Sequence, residues 1–560
     1  MPALTPAELM LGQALVQQGR LNRSQLLYAQ RRHEASCSEG SFAGQLVRLG
    51  LVGEQHMGEG LARSRGLPYH AELAAGLPTP QALALCRREI CQSLTFLPVS
   101  VQDGHLTVWL GEGNPDKVED WVHRRLGLQV RCWQGPFTSV ARGIERAYAA
   151  QRDNARDAFN RELRRLEQDP QGNLGTEPLM QILILLATRE RATDIHILPD
   201  AQSLLLAFRI DGVLAPVVAV PRSLARLVSA IKVAAGMDIA DNLHPQDGRF
   251  SFDVGGTPLD IRVSTTVTPH GESMVMRLLP KGNFISGLED LGFYREHVPM
   301  LQRLFGQPYG IALMTGPTGS GKTTTLYAGL KPHGMSGRSI LTVEDPVEYD
   351  LPSAVQTQVN RKAGYSFETA IRHFLRHDPD IMLVGEIRDA ETAEAAMRAS
   401  ETGHLVLSTL HANNVFSVPL RLLSLGVSRL SVAEALIGVV TQRLVRRLCP
   451  RCRVIDETPA SERPASLRMR LGQGPLYRAA GCGECRDTGY HGRVPVYEIL
   501  LADAAVSRWI AEGAGRHALK GVLASSNHVA MLDVCARRLL EGETSIEEFH
   551  RVFGVFDEMG

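Results

Sequence analysis

The sequence predicts a multidomain α/β protein organised around a phosphate-binding parallel sheet, and three observations carry that expectation. A G-x-x-x-x-G-K-[ST] run stands at 316–323, between an apolar run at 311–314 and a helical one at 323–330. That is the strand–loop–helix order a phosphate-binding loop requires. Two later apolar runs, 339–343 and 381–384, lead into acids, as strands of such a sheet do where their ends line the same crevice. Two C-x-x-C pairs, Cys449 with Cys452 and Cys482 with Cys485, supply four thiolates suited to a closed, tetrahedral, structural Zn²⁺ site.

Length and charge set the frame. A chain of 560 residues has room for about three to five domains, each with its own core. Sixty basic residues balance sixty acidic ones, and the isoelectric point is near 7.3. No global field therefore favours nucleic acid, and no nucleic-acid partner is expected. No apolar run approaches the ~20 residues that a membrane-spanning helix needs. The opening, MPALTPAELM, lacks the basic-then-apolar order of a signal peptide, so a cytoplasmic address is expected. Only seven of the basic residues are lysines, so a chance match to the phosphate-loop pattern is on the order of one in a hundred. The scattered cysteines Cys37, Cys86, Cys91, Cys132 and Cys535 read as small buried apolar residues in a reducing compartment.

Residues 1–69 read as a helical docking module. LGQALVQQG at 11–19 aligns with FAGQLVRLG at 42–50; each copy reads as a short helix, a glycine stop and a second amphipathic helix. Two helical hairpins are expected. Residues 70–150 change to β-rich runs at 96–101 and 105–110, with Asp103 and Gly104 between them and a closing helix at 137–150, the pattern of a small α/β domain. Residues 151–178 are charged and then punctuated by Pro and Gly, a helix and linker. Residues 179–280 read α+β, with helices at 180–187 and 223–235 and strands at 204–210, 250–254, 259–263 and 273–279. Arg209, Arg249, Arg262 and Arg277 lie on or beside those strands. Residues 281–443 are the nucleotide domain, 444–495 the tetracysteine module and 496–560 a C-terminal helical domain.

Within the nucleotide domain the phosphate-binding residues are Gly316, Pro317, Thr318, Gly319, Ser320, Gly321, Lys322, Thr323 and Thr324. Glycines let successive N–H groups point at a polyphosphate, and the helix N-terminus adds its partial positive charge. A nucleoside triphosphate is the expected ligand, with Lys322 on the β- and γ-phosphates and the Thr323 hydroxyl on Mg²⁺. Glu344 and Glu386 follow strand ends, where an acid is the expected Mg²⁺ partner, directly or through water. His404 and His411 bracket a third apolar run; on spacing alone they are as readily structural as functional.

Further runs carry a resemblance: TDIH at 193–196, RIDG at 209–212, IKVAAGMDI at 231–239, PQDGR at 245–249, TVEDPVE at 342–348, DPDIMLVGEIRD at 378–389, TGHLVLSTLH at 402–411, QRLVRRLC at 442–449 and TGYHGR at 488–493. In this order and spacing the chain resembles the type II secretion and type IV pilus assembly ATPases over nearly its whole length. The resemblance implies a RecA-like P-loop ATPase core with a PAS-like α+β domain before it, helical and α/β N-terminal domains, and an inserted zinc-binding module. It implies Glu344 as the group that polarises the attacking water, Glu386 in the Mg²⁺ shell, and His404 with His411 as a pair sensing the γ-phosphate. Arg262 and Arg277 would approach the nucleotide when the α+β domain closes across a hinge near Lys281, offsetting charge on the transferring phosphoryl.

The same resemblance implies a homohexamer at the cytoplasmic face of the inner membrane. It would dock on a membrane platform and cytoplasmic docking proteins through its N-terminal domains and use ATP to assemble pilin or pseudopilin subunits. In some relatives a module like 1–69 binds cyclic di-GMP, helped by an Arg-Leu-Gly opening. Here the openings are Met10-Leu-Gly and Ser41-Phe-Ala, so docking is the preferred reading and cyclic di-GMP the second. The alternatives from other classes are a nucleotide-responsive regulator with little hydrolysis and a DNA-transport ATPase, which neutral charge disfavours.

Overall fold

Two units, residues 1–165 and 166–560, divide the chain, and each follows from its own apolar pattern. The computed structural model describes residues 4, 6–35, 41–73, 77–86, 88–151, 155–169, 174–254, 257–280, 287–334, 337–457, 459, 463–513, 518, 521–523 and 526–554. The hinge expected near Lys281 lies outside the described residues. Among the described residues no helix is long and apolar enough to cross a membrane.

The first unit opens with four helices, Pro6–Gln17, Arg23–Ala35, Phe42–Arg48 and Glu54–Arg65. Leu15, Phe42, Leu46 and Met57 are buried between them. The turns after the first and third helices place Gly19 and Gly50 at φ 68° and 65°, a left-handed conformation that glycine adopts without a Cβ penalty. A three-stranded sheet follows: β1 (Phe96–Gln102), β2 (His105–Leu110) and β3 (Gln129–Gln134). β1 and β2 pair antiparallel and β2 and β3 parallel, the parallel crossover being made through helix Pro115–Leu126. Fully buried Gln134 ties the helices to the sheet. Its Nε2 donates to Leu110 O and Gly111 O at 3.0 and 2.7 Å, and its Oε1 accepts from Arg65 at 2.9 Å.

The second unit begins with helix Glu177–Arg189 and a six-stranded antiparallel sheet. Its strands are β4 (Ala192–Pro199), β5 (Ser203–Ile210), β6 (Val213–Pro221), β7 (Gln246–Val254), β8 (Thr257–Thr268) and β9 (Gly271–Pro280), in the order β6-β5-β4-β9-β8-β7. Ile195, Phe208, Ile261 and Met276 are buried on one face. Asp194, Arg209, Arg262 and Arg277, one residue away along each strand, take the other face. β4 and β6 were not among the strands expected from the sequence. β6 carries Pro216 at a register shift opposite Leu206 and Ala207 and lies at the sheet edge, where proline is tolerated and the alternation is weakest.

The nucleotide sheet has eight strands. They are β10 (Gly310–Thr315), β11 (Ile340–Glu344), β12 (Val355–Gln358), β13 (Ile381–Ile387), β14 (Leu405–Leu410) and β15 (Leu436–Leu448), then, after a hairpin of β16 (Val454–Asp456) and β17 (Leu476–Arg478), β18 (Tyr490–Leu501) and β19 (His528–Val529). The order is β12-β11-β13-β14-β10-β15-β18-β19. Strands β10 to β15 run parallel, and β18 and β19 are antiparallel additions. The central strands are buried on both faces, which is why they read as continuous apolar runs rather than alternating ones.

This topology corrects two of the expected divisions. Those at 443/444 and 495/496 fall inside β15 and β18, which pair from Gly438 opposite Leu501 to Leu448 opposite Tyr490. The cysteine module therefore leaves and re-enters the same sheet between neighbouring strands, and residues 496–501 belong to that sheet rather than to a separate helical domain. Helices Met531–Leu540 and Ile546–Phe553 pack back on it through Val534, Cys535, Leu539 and Phe549.

Candidate functional site

β10 delivers the chain to the phosphate loop with all six residues buried. Gly316 and Gly321 have φ 138° and 84°, and a Cβ on Gly316 would lie 2.2 Å from Gln442 O. The loop is braced from the adjoining strand by Gln442, which is 3% exposed. Its Nε2 donates to Ser320 O at 2.8 Å, and its Oε1 accepts from Thr325 Oγ1 at 2.9 Å. Lys322 folds back over the loop, its Nζ donating to Gly316 O and Pro317 O at 2.8 and 3.0 Å. Burial holds its pKa below the ordinary lysine value, against the opposing pull of Glu386 and Glu348. A glycine cradle with positive φ, an ammonium folded back over it and a buried Ser320 Oγ without a partner fit the triphosphate of ATP.

The strand ends beside the loop bring Glu386 and His411 together. Glu386 Oε2 is 2.5 Å from Arg388 Nε and 3.7 Å from His411 Nε2. The residue after His411 is fixed to the phosphate-loop strand: Thr315 Oγ1 donates to Ala412 O and accepts from Ala412 N at 3.1 Å. Thr409 Oγ1 likewise donates to Gly385 O at 2.8 Å, beside Glu386. His404 is not part of this cluster, which corrects the expected pair. Its carbonyl accepts from Gly310 N at 3.1 Å and its Nδ1 lies 3.0 Å from Ala399 O, at the opposite end of the sheet. The six-residue strand between the two histidines separates them by about 20 Å.

Glu344 is also placed differently from its expected role. It is 4% exposed, Oε1 accepts from Thr342 Oγ1 at 2.7 Å and Gln356 Nε2 at 3.1 Å, and Oε2 accepts from Tyr327 OH. Burial, then the Glu344 charge, push the Tyr327 phenol well above its ordinary value, so it remains a donor. A carboxylate with both oxygens committed in this way is a buried structural acceptor. Four residues on, Glu348 occupies the crevice instead. Surrounding protein raises its pKa although part of the side chain meets solvent, and Arg262, Arg277 and Lys322 pull it back down. Glu348 was not among the expected site residues, although a second glutamate four residues after the first in EDPVE was a visible signal. Arg262 Nη2 reaches across from β8 to Val347 O at 2.8 Å, next to Glu348. Arg277 Nε donates instead to Asp194 Oδ1 at 3.1 Å.

The four module cysteines converge, their sulfurs all within 4.8 Å of one another. Cys449–Cys482, Cys452–Cys485 and Cys482–Cys485 are separated by 3.9, 3.7 and 3.6 Å. Four thiolates around Zn²⁺ with Zn–S near 2.3 Å require S···S edges of about 3.8 Å, so the donor set fits zinc. Burial pushes the Cys485 thiol up, but the amide N–H groups of Cys482 and Gly489, together with the Cys482 and Cys452 thiols, outweigh it and bring its pKa to about 7, while its partner Cys452 is pushed up to about 12. Thr323 and Glu386 place a hydroxyl at the loop and a carboxylate at the end of β13, oxygen donors of the kind that would hold Mg²⁺.

Residues 171–551 match the type II/IV secretion system protein family, and residues 65–154 match the MshEN domain, which begins only where the four helices end. The type II secretion system protein HxcR of Pseudomonas aeruginosa is 44% identical over 375 residues, 67% of this chain and 76% of that protein. The type II secretion system ATPase E of Vibrio cholerae is 44% identical over 367 residues, 65% of this chain and 73% of that protein. The type IV pilus assembly ATPase PilB of Thermus thermophilus is 35% identical over 523 residues, 91% of this chain but 58% of that longer protein. The Legionella pneumophila ATPase DotB, at 21% identity, shares the fold over 68% of this chain and 96% of its own, with a TM-score of 0.53. The chain belongs to the type II/IV secretion system protein family.

Proposed function

We propose that the protein is a cytoplasmic hexameric ATPase, peripheral to the inner membrane, that hydrolyses ATP to drive assembly of pilin or pseudopilin subunits. The observation that carries this reading is the meeting of Lys322, Glu386, His411, Glu348 and Arg262 around one phosphate loop. In the proposed reaction the loop amides and Lys322 hold the β- and γ-phosphates, and Glu348 orients the attacking water. His411 and Glu386 face the γ-phosphate, while Arg262 and Arg277 offset charge as the phosphoryl transfers. Mg²⁺, held by Thr323 and through Glu386, would supply electrostatic stabilisation between the phosphates.

The proposed division of labour gives residues 1–150 to docking on a membrane platform, 179–280 to the arginines and 281–501 to the nucleotide. Within the last segment the cysteine module is a structural, zinc-holding insertion. Lys322→Ala tests the hydrolytic reading: steady-state ATP hydrolysis by the full chain should vanish while its melting profile and oligomeric state persist. Normal turnover in that variant would refute the assignment. Co-purification of a membrane-platform protein with the intact chain, lost on deletion of residues 1–150, tests the docking reading.

A further inference from the structure

The six-stranded sheet carries a row of charges that the assignment of two arginines to the nucleotide leaves unexplained. In the strand register Arg209 on β5 stands opposite Asp194 on β4, Asp194 opposite Arg277 on β9, Arg277 opposite Arg262 on β8, and Arg262 opposite Arg249 on β7. Directly opposed residues of antiparallel strands share a face. Five neighbouring strands therefore present four guanidinium groups and one carboxylate at a single level. Like charges directly opposite one another repel, and Asp194 is the only acid of the row. It is 5% exposed, accepts Arg277 Nε at 3.1 Å through Oδ1, and meets Arg209 Nε at 3.8 Å through Oδ2. Thr193 Oγ1 donates to the same Oδ2 at 2.8 Å, fixing the carboxylate from behind. Among the described residues this is the one hydrogen bond that the Arg277 guanidinium makes, so its two Nη nitrogens stay available.

We propose that Asp194 is a positioning residue for hydrolysis: it grips Arg277 at Nε and so presents the Nη face toward the crevice that holds Glu348 and the phosphate loop. A bidentate guanidinium must be oriented before it can stabilise a phosphoryl group, and Arg277 has 54% of its side chain exposed, with little packing to orient it otherwise. Asp194 also offsets Arg209 and Arg277, keeping the row from repelling itself. His196, two residues further on the same face, adds no charge, because burial and the Arg209 guanidinium depress its pKa.

This inference rests on the assignment of Arg277 to the nucleotide, so the experiment separates the two. Steady-state ATP hydrolysis is measured on the full chain for Arg277→Ala, Asp194→Asn and the double variant. Expected is a kcat lowered about ten-fold or more in each single variant, with KM for ATP within about two-fold, because Lys322 and the loop hold the ground state. In the Arg277→Ala background Asp194→Asn should change kcat by less than about two-fold, the non-additivity of residues acting as a unit. Thr193→Val, which loosens the carboxylate without removing it, should show a smaller kcat loss that also disappears without Arg277; it decides the matter if Asp194→Asn does not fold. Wild-type kcat in Asp194→Asn beside an impaired Arg277→Ala overturns the positioning role alone, as do losses that simply multiply. A silent Arg277→Ala overturns both the positioning role and the nucleotide assignment.

Discussion

Gln442→Leu removes the brace under the phosphate loop while keeping the volume of the side chain. Two hydrogen bonds are lost, Nε2 to Ser320 O at 2.8 Å and Thr325 Oγ1 to Oε1 at 2.9 Å. Thr325 keeps a second acceptor in Gly321 O at 3.1 Å, but the Ser320 carbonyl is left facing apolar carbon. Two neutral buried hydrogen bonds contribute about 1 kcal/mol each, and the orphaned carbonyl costs about 1 kcal/mol more, giving about 3 kcal/mol in all. If the whole of it falls on ordering the loop around phosphate, the Kd for ATP rises about 150-fold; any share expressed as lower stability of the free chain reduces that figure. Titration of a fluorescent ATP analogue into the full chain with Mg²⁺, beside thermal unfolding of both proteins, reads the two shares. A Kd within about two-fold of wild type in a chain with an unchanged melting profile would refute the bracing role.

Four further outcomes follow from the site. Glu348→Gln should lower kcat by about 100-fold or more, as loss of a group acting on the attacking water does. Because the folded pKa of Glu348 is raised, kcat/KM should fall with decreasing pH above the ordinary glutamate range, and the Gln variant should lose that acid limb. Glu344→Gln should instead cost stability, about 2 kcal/mol for a buried charge-assisted acceptor, and leave kcat within a few-fold; a catalytic collapse without destabilisation would restore Glu344 to the chemistry. Metal analysis of the intact chain should return about one zinc per chain, and none once Cys449, Cys452, Cys482 and Cys485 are all changed to Ser.

The phosphate loop was legible because its chemistry is written in backbone freedom, and Gly316 and Gly321 occupy conformations other residues resist. The cysteine pairs were legible because metal geometry fixes their local spacing. Gln442 was not: it is an ordinary residue in an apolar strand, and only the adjacency of β10 and β15 sets it under a loop more than a hundred residues earlier. Glu344 and Glu348 stand in one run, EDPVE, and burial alone separates them, since the strand's last residue turns toward Tyr327 and Thr342 while the loop residue faces the arginines. The two histidines were separable in principle, because seven positions in an extended strand place them at opposite ends of that strand. β4 and β6 were missed where polar residues or prolines interrupt the alternation. The row of arginines was visible as four separate residues, but its alignment exists only in the strand register.

The pairing of Leu448 with Tyr490 has a consequence for how this protein can be altered. The cysteine module departs and returns at two positions that already touch, so the sheet needs only a short hairpin there to remain continuous. The metal-binding knuckles stand at that root, with Cys449 directly after one strand and Cys485 shortly before the other. Beyond the clasp the segment is seated as well: Leu467, Leu471 and Leu476 are buried in the same core as Val534 and Leu539, and Arg453 donates to Glu541 O at 3.1 Å. The insertion is a graft joined twice, at the cysteine root and through helix Met531–Leu540, and an exchange of the whole module has to preserve both unions.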